Sequence, residues 1–294
     1  MTIMNKFVLT LISLLFISPG IYASGTFPIS DPSMTIIGFK DTYTIQDSET
    51  LIELARDYNV GYNEIIAANN GIDPWVPKKG TEIVIPTRWL LPEILDNGIL
   101  INVAEMRLYY SFSVKGRKYL KTFPIGIGTD GFDTPIGTYK LTAMVKGPVW
   151  RIPESIRAEY PDLPDYVPQG PDNPLGKYWI QLSDGYGIHG TNRPLGIGRR
   201  VSHGCIRLYP EDIKVLFKFV RHGAKVKIVD EPVKTAVYNG HVYVEIHRSD
   251  KNDGELLQIA LDKLSRKPLN NKFNTQSLLQ EIKNASGLPA VISN

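Results

Sequence analysis

The spacing of apolar side chains predicts a small helical unit in the first third of the chain. A strand-like pattern over residues 43–45 is followed by apolar positions at helical spacing, namely Leu51, Leu54, Ala55 and Tyr58. Either Ser48 or Thr50 is a suitable N-cap for this helix, and a second helix is predicted over residues 62–68. An apolar strand over residues 82–85 ends at a proline. Residues 41–87 are therefore predicted to form a compact α+β domain with the order strand, helix, helix, strand.

A different pattern follows over residues 97–230. Short segments rich in Tyr, Val and Ile are bounded by Gly, Pro and Asp, which is typical of strands. They fall at residues 99–102, 107–112, 119–124, 137–142, 178–182, 187–189 and 225–229. One amphipathic helix is predicted over residues 210–222. Many short strands with little helix predict a mainly β domain, built as a sandwich or a barrel.

The remaining segments are predicted to be less regular. Residues 24–40 are expected to form a flexible lead-in, and residues 89–97 a Leu/Pro-rich connector. The C-terminal extension, residues 231–294, contains a strand pair around Asn239-Gly240 and then a polar end that is expected to be mobile.

Residues 146–176 are rich in proline and show no regular pattern. A stretch of this length is usually either functional or disordered. Its aromatic side chains, Trp150, Tyr160 and Tyr166, favour a lid next to an active site. A surface insertion with no role in the chemistry is the alternative.

The first 23 residues have the pattern of a secretory signal peptide. Lys6 precedes an apolar run over residues 7–17, Pro19 breaks it, and Ala23 is a small residue suitable for cleavage. The run is shorter than the roughly 20 residues of a membrane-spanning helix, although an uncleaved anchor is the alternative. No cysteine follows the leader, which excludes lipoprotein processing. The net charge of +3, without a long basic run, argues against nucleic-acid binding.

The chemistry of the chain centres on its single cysteine, Cys205. A lone thiol has no intrachain disulfide partner, so it is either inert and buried or reactive. Two histidines, His189 and His203, are candidate bases for activating a thiol whose free pKa is about 8.5. A zinc site made of these three residues is the rival. Structural zinc sites normally use four ligands, often in paired cysteine spacings that do not occur here, so we expect no metal and no cofactor.

The segment His189-Gly190, followed by residues 202–207 (Ser-His-Gly-Cys-Ile-Arg), resembles the active-site signature of the L,D-transpeptidases. These cysteine enzymes cross-link bacterial peptidoglycan or attach proteins to it. Residues 123–128, 134–139 and 171–176 also resemble blocks of the family, so that the resemblance covers roughly residues 97–230. The gap between His189 and Ser202 is slightly shorter than the usual family spacing, which shortens one loop. The resemblance implies the β-rich catalytic fold of that family.

Residues 41–87 resemble a LysM module. The usual Gly-Asp after the first strand is replaced here by Asp47-Ser48, and residues 74–77 lengthen the last loop. Glycan binding and a mere packing role therefore both stay open. As a tether, the module is expected to be separable, so that deleting residues 41–87 lowers retention on sacculi and spares turnover of soluble muropeptides.

The resemblance also implies the roles of the catalytic residues. Cys205 is the nucleophile, and His189 is the general base in preference to His203, which is left as the competing candidate. The backbone carbonyl of Gly190 holds the His189 ring in the required tautomer. The backbone N–H groups of Gly204 and Cys205 form the oxyanion hole.

Four further residues are predicted to bind or support the substrate. Arg207 alternates with Cys205 and either clamps a substrate carboxylate or forms a structural salt bridge. Ser202 is expected to provide a supporting hydrogen bond, and Trp150 and Tyr166 belong to the predicted lid.

The resemblance implies a periplasmic enzyme whose acyl donor is a tetrapeptide stem of peptidoglycan. The acceptor is either the amine of another stem, which gives a 3→3 cross-link, or the terminal lysine of an outer-membrane lipoprotein. The domain layout and the C-terminal tail resemble the lipoprotein-anchoring subgroup. A hydrolase, with water as acceptor, and a catalytically silent wall-binding protein are the alternatives. Carbapenems are expected to acylate Cys205.

Overall fold

A computed structural model describes residues 25–293, except for residues 32, 95, 184 and 268–271. The predicted signal peptide lies outside the described residues. The chain folds into three units, each with a buried apolar cluster. Within the described part of the chain, no helix has the length and apolar character needed to cross a membrane.

The helices and strands follow one another in three groups. The N-terminal unit contains β1 (Thr26–Ile29), β2 (Ile36–Gly38), β3 (Asp41–Thr44), α1 (Leu51–Asp57), α2 (Tyr62–Ala68), β4 (Glu82–Ile85) and β5 (Arg88–Leu90). The central unit contains β6 (Gly98–Asn102), β7 (Arg107–Val114), β8 (Arg117–Pro124), β9 (Ile127–Gly128), β10 (Gly137–Lys140), β11 (Ala143–Lys146), β12 (Trp150–Arg151), α3 (Glu154–Glu159), β13 (Tyr166–Val167), β14 (Tyr178–Ser183), β15 (Tyr186–His189), a 3₁₀ turn (Pro194–Gly196), β16 (Arg200–Ser202), β17 (Ile206–Arg207), α4 (Pro210–Phe219) and β18 (Lys225–Val229). The C-terminal unit contains β19 (Val233–Tyr238), β20 (His241–Ile246), α5 (Asp253–Ser265), α6 (Thr275–Asn284) and β21 (Ala290–Val291).

The N-terminal unit has the predicted order of strand, two helices and strand. Thr50 caps α1: its hydroxyl oxygen accepts a hydrogen bond from the backbone N–H of Glu53 at 3.1 Å. The Glu53 carboxylate accepts in return from the backbone N–H of Thr50 at 3.2 Å, which completes a capping box. Of the two predicted caps, Thr50 is therefore the one used. Strands β3 and β4 pair antiparallel beside the two helices.

Two segments that were expected to be irregular form strands. The expectation of a flexible lead-in over residues 24–40 is wrong, because β1 pairs antiparallel with β8 and β2 pairs antiparallel with β5. The connector over residues 89–97 likewise begins within β5, where Trp89 is buried. Both segments depend on backbone partners that lie far away in sequence, so the local apolar pattern does not reveal them.

The central unit is a sandwich of two main sheets. Its strand orders are β1-β8-β7-β6-β18-β10 and β11-β14-β15-β17. Side chains from both sheets meet in one apolar cluster, which includes Ile99, Leu108, Phe123, Ile180 and Ile206. The predicted mainly β fold is confirmed. Helix α4 packs on this cluster and ends at Phe219 rather than residue 222, since Val220 already has extended backbone angles.

The proline-rich segment is more ordered than its sequence pattern indicates. Strands β12 and β13 pair as a short ribbon that encloses α3. The buried side chain of Asn173 ties the segment together. Its amide nitrogen donates to the carbonyl oxygens of Pro148 at 2.9 Å, Pro168 at 3.1 Å and Val167 at 3.2 Å. These bonds hold both ends of the ribbon at one point.

The C-terminal unit is a folded domain. The predicted strand pair is confirmed: β19 and β20 flank Asn239-Gly240, whose φ values of 49° and 79° suit a tight hairpin turn. The expectation of a mobile end is wrong, because α5, α6 and β21 pack on this hairpin. The helices bury Leu256, Ala260 and Leu264 from α5, and Leu278 and Ile282 from α6. These positions do recur at helical spacing, but the many polar residues between them masked the pattern.

Buried contacts join the three units into one body. On the face of the six-stranded sheet turned away from the central cluster, Leu100, Tyr109 and Leu120 share a core with the N-terminal unit. In the same interface, Arg107 and Glu64 form a buried ion pair at 2.7 Å. The guanidinium of Arg107 also lies 4.2 Å from the ring centroid of Trp89. The N-terminal unit therefore completes the core on this face of the six-stranded sheet.

A second buried polar cluster joins the C-terminal unit to the others. The ammonium of Lys234 lies 2.8 Å from Oε1 of Glu105 and 2.5 Å from Oε1 of Glu245. It also donates to the carbonyl oxygen of Leu90 at 2.8 Å. Nε2 of His247 lies 2.7 Å from Oε1 of Glu245. The three groups Glu105, Glu245 and His247 are close enough to hold a metal ion, but the Lys234 ammonium already lies against both carboxylates.

Candidate active site

Two neighbouring strands place the candidate catalytic residues on one face. Strands β15 and β17 pair in parallel, with Ile188 opposite Ile206 and His189 opposite Arg207. Ile188 and Ile206 are fully buried in the central core. Because side chains alternate along a strand, His189 and Arg207 project from the other face. The sequence pattern predicts by the same alternation that Cys205 and Arg207 lie on one face of their strand.

Cys205 lies at the start of β17, with its sulfur against β15. The Sγ atom donates to the carbonyl oxygen of Gly185 at 3.6 Å. Burial raises the pKa of the thiol, and this effect is partly opposed by the backbone N–H of Gly187 and by the positive charge of Arg207. The resting side chain is therefore a neutral thiol at pH 7 and needs a base when it attacks a carbonyl.

His189 is buried and neutral. Its Nδ1 atom lies 2.6 Å from the carbonyl oxygen of Gly190, so Nδ1 carries the proton and Nε2 keeps a free lone pair. The ring of Trp179 stacks on the imidazole with centroids 5.6 Å apart. Burial, together with the charge of Arg207, lowers the pKa of His189 to about 3. Hydrogen bonds to the backbone of Gly190 and Leu175 act in the opposite direction and raise this pKa. The imidazole is therefore unprotonated at neutral pH, which is the state that a general base must have before it takes a proton.

His203 points elsewhere. Its ring packs against Phe132 with centroids 4.4 Å apart. Its Nε2 atom lies 3.7 Å from Oε2 of Glu159, the last residue of α3 in the proline-rich segment. The turn at Gly204, with φ of 94°, separates the direction of His203 from that of Cys205. The structure therefore brings His189 to the face of Cys205 and turns His203 toward the predicted lid.

The turn before Cys205 requires a glycine. A Cβ atom on Gly204 would lie 2.5 Å from Cε1 of Tyr186 and 3.3 Å from the carbonyl oxygen of Asp133. The buried hydroxyl of Ser202 donates to the carbonyl oxygen of Cys205 at 2.6 Å, which is the supporting bond expected from the sequence. The backbone N–H groups of Gly204 and Cys205 bond to no residue that the structure describes. Both donors are therefore available to a developing oxyanion.

Arg207 makes no salt bridge with any residue in the described ranges. Its Nε atom is buried without a hydrogen-bond acceptor. Burial lowers the pKa of its guanidinium, with the Cys205 thiolate favouring the charge and Arg193 opposing it. Of the two predicted roles, a structural salt bridge is thus absent from the described part of the chain. A substrate carboxylate would give the guanidinium its missing acceptor.

Trp150 and Tyr166 lie in the ribbon of β12 and β13. Trp150 is half-buried and pairs with Val167, while Tyr166 is 56% exposed. The contact between His203 and Glu159 places α3, which the ribbon encloses, beside the catalytic turn. Substrate binding by Trp150 and Tyr166 stays a prediction.

Two residues next to the site, Trp179 and Tyr186, were not predicted from the sequence. Trp179 covers His189, and a Cβ on Gly187 would lie 2.6 Å from the Trp179 ring. Tyr186 packs against the Gly204 turn. The sequence did contain a signal for Trp179. Side chains alternate between the two faces of β14, and because Ile180 faces the core, Trp179 faces the opposite side. The closeness of Tyr186 to Gly204 depends on the tertiary fold and leaves no such signal.

Comparison with known proteins gives a consistent set of similarities. The family model described as the L,D-transpeptidase catalytic domain (YkuD) matches residues 96–228, and the LysM domain model matches residues 43–86. The chain is 40% identical over 279 residues to the probable L,D-transpeptidase YbiS of Escherichia coli K12, covering 90% of each protein. It is 41% identical over 255 residues to the probable L,D-transpeptidase YcfS of the same organism, covering 81% of this chain and 79% of YcfS.

Solved structures are similar at lower identity. The crystal structure of L,D-transpeptidase 3 from Mycobacterium tuberculosis, in complex with a faropenem-derived adduct, aligns with a TM-score of 0.35 at 21% identity. The alignment covers 45% of this chain and 59% of that one.

Proposed function

The chain belongs to the L,D-transpeptidase family, and we propose that it transfers peptidoglycan stem peptides through a thioester on Cys205. One observation carries this proposal: the pairing of β15 with β17 puts His189 on the same face as Arg207 and Cys205, next to a turn whose two backbone N–H groups, of Gly204 and Cys205, bond to no described residue. Acyl transfer needs a nucleophile, a base and an oxyanion site in that arrangement.

The acylation step follows from these positions. Sγ of Cys205 attacks the carbonyl of the diaminopimelate residue in a tetrapeptide stem, and its proton passes to Nε2 of His189. The N–H groups of Gly204 and Cys205 stabilise the negative charge on the carbonyl oxygen. As the C–N bond breaks, the imidazolium of His189 donates its proton to the leaving D-alanine amine. The carbonyl of Gly190 keeps the ring in the orientation that both transfers require.

The thioester is then consumed by an amine. His189 takes a proton from the acceptor amine as nitrogen attacks the thioester carbonyl. The C–S bond then breaks, and the leaving Cys205 sulfur takes that proton back from His189, which restores the neutral thiol and imidazole. Two acceptors fit this chemistry, a second stem peptide and the terminal lysine of an outer-membrane lipoprotein. The alignments with YbiS and YcfS cover 90% and 81% of this chain. We propose the lipoprotein-anchoring reaction as the first one to test.

We propose a periplasmic location for the mature chain. The support is the signal-peptide pattern of residues 1–23 and a substrate that lies outside the cytoplasm. A single cysteine without an intrachain partner suits an oxidising compartment, because it cannot be locked in an intramolecular disulfide.

The test is product analysis with the purified mature chain. Incubation with tetrapeptide muropeptides and a lipoprotein that ends in lysine should give a mass increase on the lipoprotein and release D-alanine. Cys205→Ala should abolish transfer with the fold intact, because no other residue of the motif can hold the acyl group as a thioester. A carbapenem should give a single adduct on the wild-type protein and none on Cys205→Ala.

Each result has a defined meaning. Formation of 3→3 cross-links without lipoprotein attachment would identify stem peptides as the acceptor. Release of D-alanine into water without any amide product would identify a hydrolase. A carbapenem adduct or an acyl group on Ser202 would contradict Cys205 as the nucleophile.

A further inference from the structure

A cleft of about 630 Å³ opens where the three units meet. The N-terminal unit contributes Tyr62 and Asn63, at the start of α2. The central unit contributes the loop around Asp133 and the start of β16, and the C-terminal unit contributes residues 248–250. The cleft is separate from the β15–β17 face, since neither Cys205 nor His189 lines it.

The carboxylates that line the cleft are all paired. Asp133 lies 3.0 Å from Nη1 of Arg200, and Asp250 lies 3.7 Å from Nη2 of the same guanidinium. Asp230 is paired with Lys251 at 2.8 Å. Each acidic group of the lining therefore lies next to a cation, although the single charge of Arg200 is shared between Asp133 and Asp250.

Two guanidinium groups of the lining have no such partner. Arg199 and Arg248 form no ion pair with any residue in the described part of the chain. The Arg199 guanidinium lies 3.4 Å from the ring centroid of Tyr62, and its Nε and Nη2 atoms are buried without an acceptor. Arg248 is exposed. The lining thus holds three arginines and three aspartates. Arg199 and Arg248 are its two guanidinium groups without a carboxylate partner among the described residues, and two donor atoms of Arg199 lack a hydrogen-bond acceptor.

The loop around Asp133 lies between the cleft and the turn at Gly204. Arg200 lies five positions before Cys205, and its Nη1 atom donates to the carbonyl oxygen of Gly128 at 3.2 Å. Asp133 contributes its carboxylate to the cleft, while its carbonyl oxygen faces Gly204 on the other side. A ligand in the cleft would therefore lie beside the loop that supports the oxyanion donors.

We propose that this cleft binds a carboxylate-bearing part of the peptide substrate, and that Arg248 and Arg199 form the subsite that binds the carboxylate. The inference rests on the proposed function, because it supplies a second contact region for the same stem peptides. The neighbouring side chains favour a peptide over a polyanion. The lining also contains apolar groups, such as Met106 and Ile136, and carboxylates that would repel a continuous run of negative charge.

The test measures binding without turnover. On the Cys205→Ala background, the affinity for a tetrapeptide muropeptide is measured by calorimetry before and after adding Arg248→Gln. Loss of one charge-assisted contact at a partly exposed site should weaken binding about 3- to 10-fold. Arg248→Lys, which keeps the charge, should restore most of the affinity. Arg117→Gln, at the exposed arginine that begins β8, is the matched control and should bind as the parent does.

A second peptide separates charge recognition from a general structural effect. A muropeptide whose carboxylates are amidated should bind weakly to the parent protein and should not respond to Arg248→Gln. In the active protein, Arg248→Gln should raise the KM for the natural peptide and leave kcat close to that of wild type.

Two outcomes would overturn the inference. One is equal affinity of Arg248→Gln and Arg117→Gln for the natural peptide. The other is an equal loss for the natural and the amidated peptides, which would show that carboxylates are not what Arg248 recognises. Failure of the proposed function looks different, because binding would then still depend on Arg248 while the active protein transferred no acyl group.

Discussion

At the scale of single residues, the site holds a neutral acid beside a neutral base. Burial raises the pKa of the Cys205 thiol and lowers that of the His189 imidazole. Both groups are therefore uncharged at pH 7 before the substrate binds. Charge appears only as Sγ attacks, when the oxyanion donors and Arg207 are in place to stabilise it. A neutral Cys205 and His189 also avoid the cost of holding a thiolate–imidazolium ion pair in a buried place.

The first prediction separates the two histidines. His189→Ala should lower kcat/KM for acylation by about 10²–10⁴-fold, because the thiol loses its base and the leaving amine loses its acid. His203→Ala should cost much less, since its ring contacts Phe132 and Glu159 rather than the sulfur. Stopped-flow acylation with a carbapenem measures both variants. A larger loss for His203→Ala would reverse the two roles.

The pH profile gives an independent reading of His189. With a folded pKa of about 3, the imidazole stays unprotonated as the pH falls from 7 to 5, so kcat/KM for the wild type should change little there. The unfolded chain binds this proton near pH 6.5. The contribution of His189 to stability therefore declines as the pH falls from about 6.5 toward 3. A half-loss of kcat/KM near pH 6.5 that disappears in His189→Ala would contradict the effect of burial.

A second residue-scale prediction concerns Gly204. Gly204→Ala forces a side chain into a positive-φ position and brings its Cβ within 2.5 Å of the Tyr186 ring. The turn must shift, so acylation should fall by about 10²-fold through the displaced oxyanion donors. Gly223→Ala is the matched control, because Gly223 has φ of 80° with open space around it. Thermal denaturation should show a modest loss for both variants, and equal acylation rates would count against the assigned turn.

At the scale of elements, α4 begins with a buried carboxyl group at the interface with the N-terminal unit. Burial, and then the charge of Glu211, raises the pKa of Asp212 to about 8. Asn59 donates to Oδ1 of Asp212 at 3.2 Å, while Oδ2 has no partner among the described residues. An acid that is protonated in the fold and ionised in the unfolded chain makes stability fall as the pH rises from about 4 to 8.

This fall in stability with rising pH leads to the third prediction. Asp212→Asn keeps an oxygen for Asn59 and removes the ionisable group, so it should raise the free energy of unfolding at pH 8 by at least about 1 kcal/mol. The gain should shrink toward zero at pH 5. Urea denaturation at both pH values tests it, with Asp253→Asn on the exposed first turn of α5 as control. A gain that is the same at pH 5 and pH 8 would exclude titration of Asp212 as its cause.

At the scale of the whole molecule, the N-terminal unit is part of the catalytic fold. Apart from the shared core, the backbone N–H groups of Tyr62 and Asn63 donate to the carbonyl oxygens of Ile197 and Gly198 at 3.1 and 3.2 Å. These carbonyls belong to the loop between His189 and Ser202, which the sequence showed to be shortened. The module therefore supports the loop that leads into the catalytic strand.

The fourth prediction follows from this shared core. Glu64→Gln leaves the buried Arg107 charge unpaired and should destabilise the protein by about 3–5 kcal/mol. Asp96→Asn, which removes an exposed ion pair with Lys118, should cost less than about 1 kcal/mol. Urea denaturation measures both. Similar losses for the two variants would show that the interface contributes little.

Deletion of residues 41–87 extends the same test. The sequence pattern led us to expect that the module is separable, but its removal exposes Leu100, Tyr109 and Leu120 on the six-stranded sheet. We now expect an aggregated or unfolded product without carbapenem acylation. A soluble deletion variant that still forms the adduct would restore the separable-tether interpretation.

The local elements were predictable where the pattern was self-contained. Helices α1 and α2 follow from helical spacing after the Thr50 cap, and the β19–β20 hairpin follows from Asn239-Gly240 between two apolar runs. The pattern failed where an element depends on a distant partner. Strand β1 lies at a sheet edge and takes its hydrogen bonds from β8, and α5 and α6 fold only because the β19–β20 hairpin covers their apolar sides.

The sequence by itself determined the chemistry available to this protein. A single cysteine, a glycine before it and a His-Gly pair upstream indicate a candidate nucleophile, a tight turn and a candidate base, because those functions depend on residue type and spacing. The tertiary structure decided which histidine faces the sulfur, why Arg207 lacks a salt bridge within the described ranges, and how far each pKa shifts. These properties depend on burial and on contacts between strands far apart in the chain, and only the folded molecule brings those groups together.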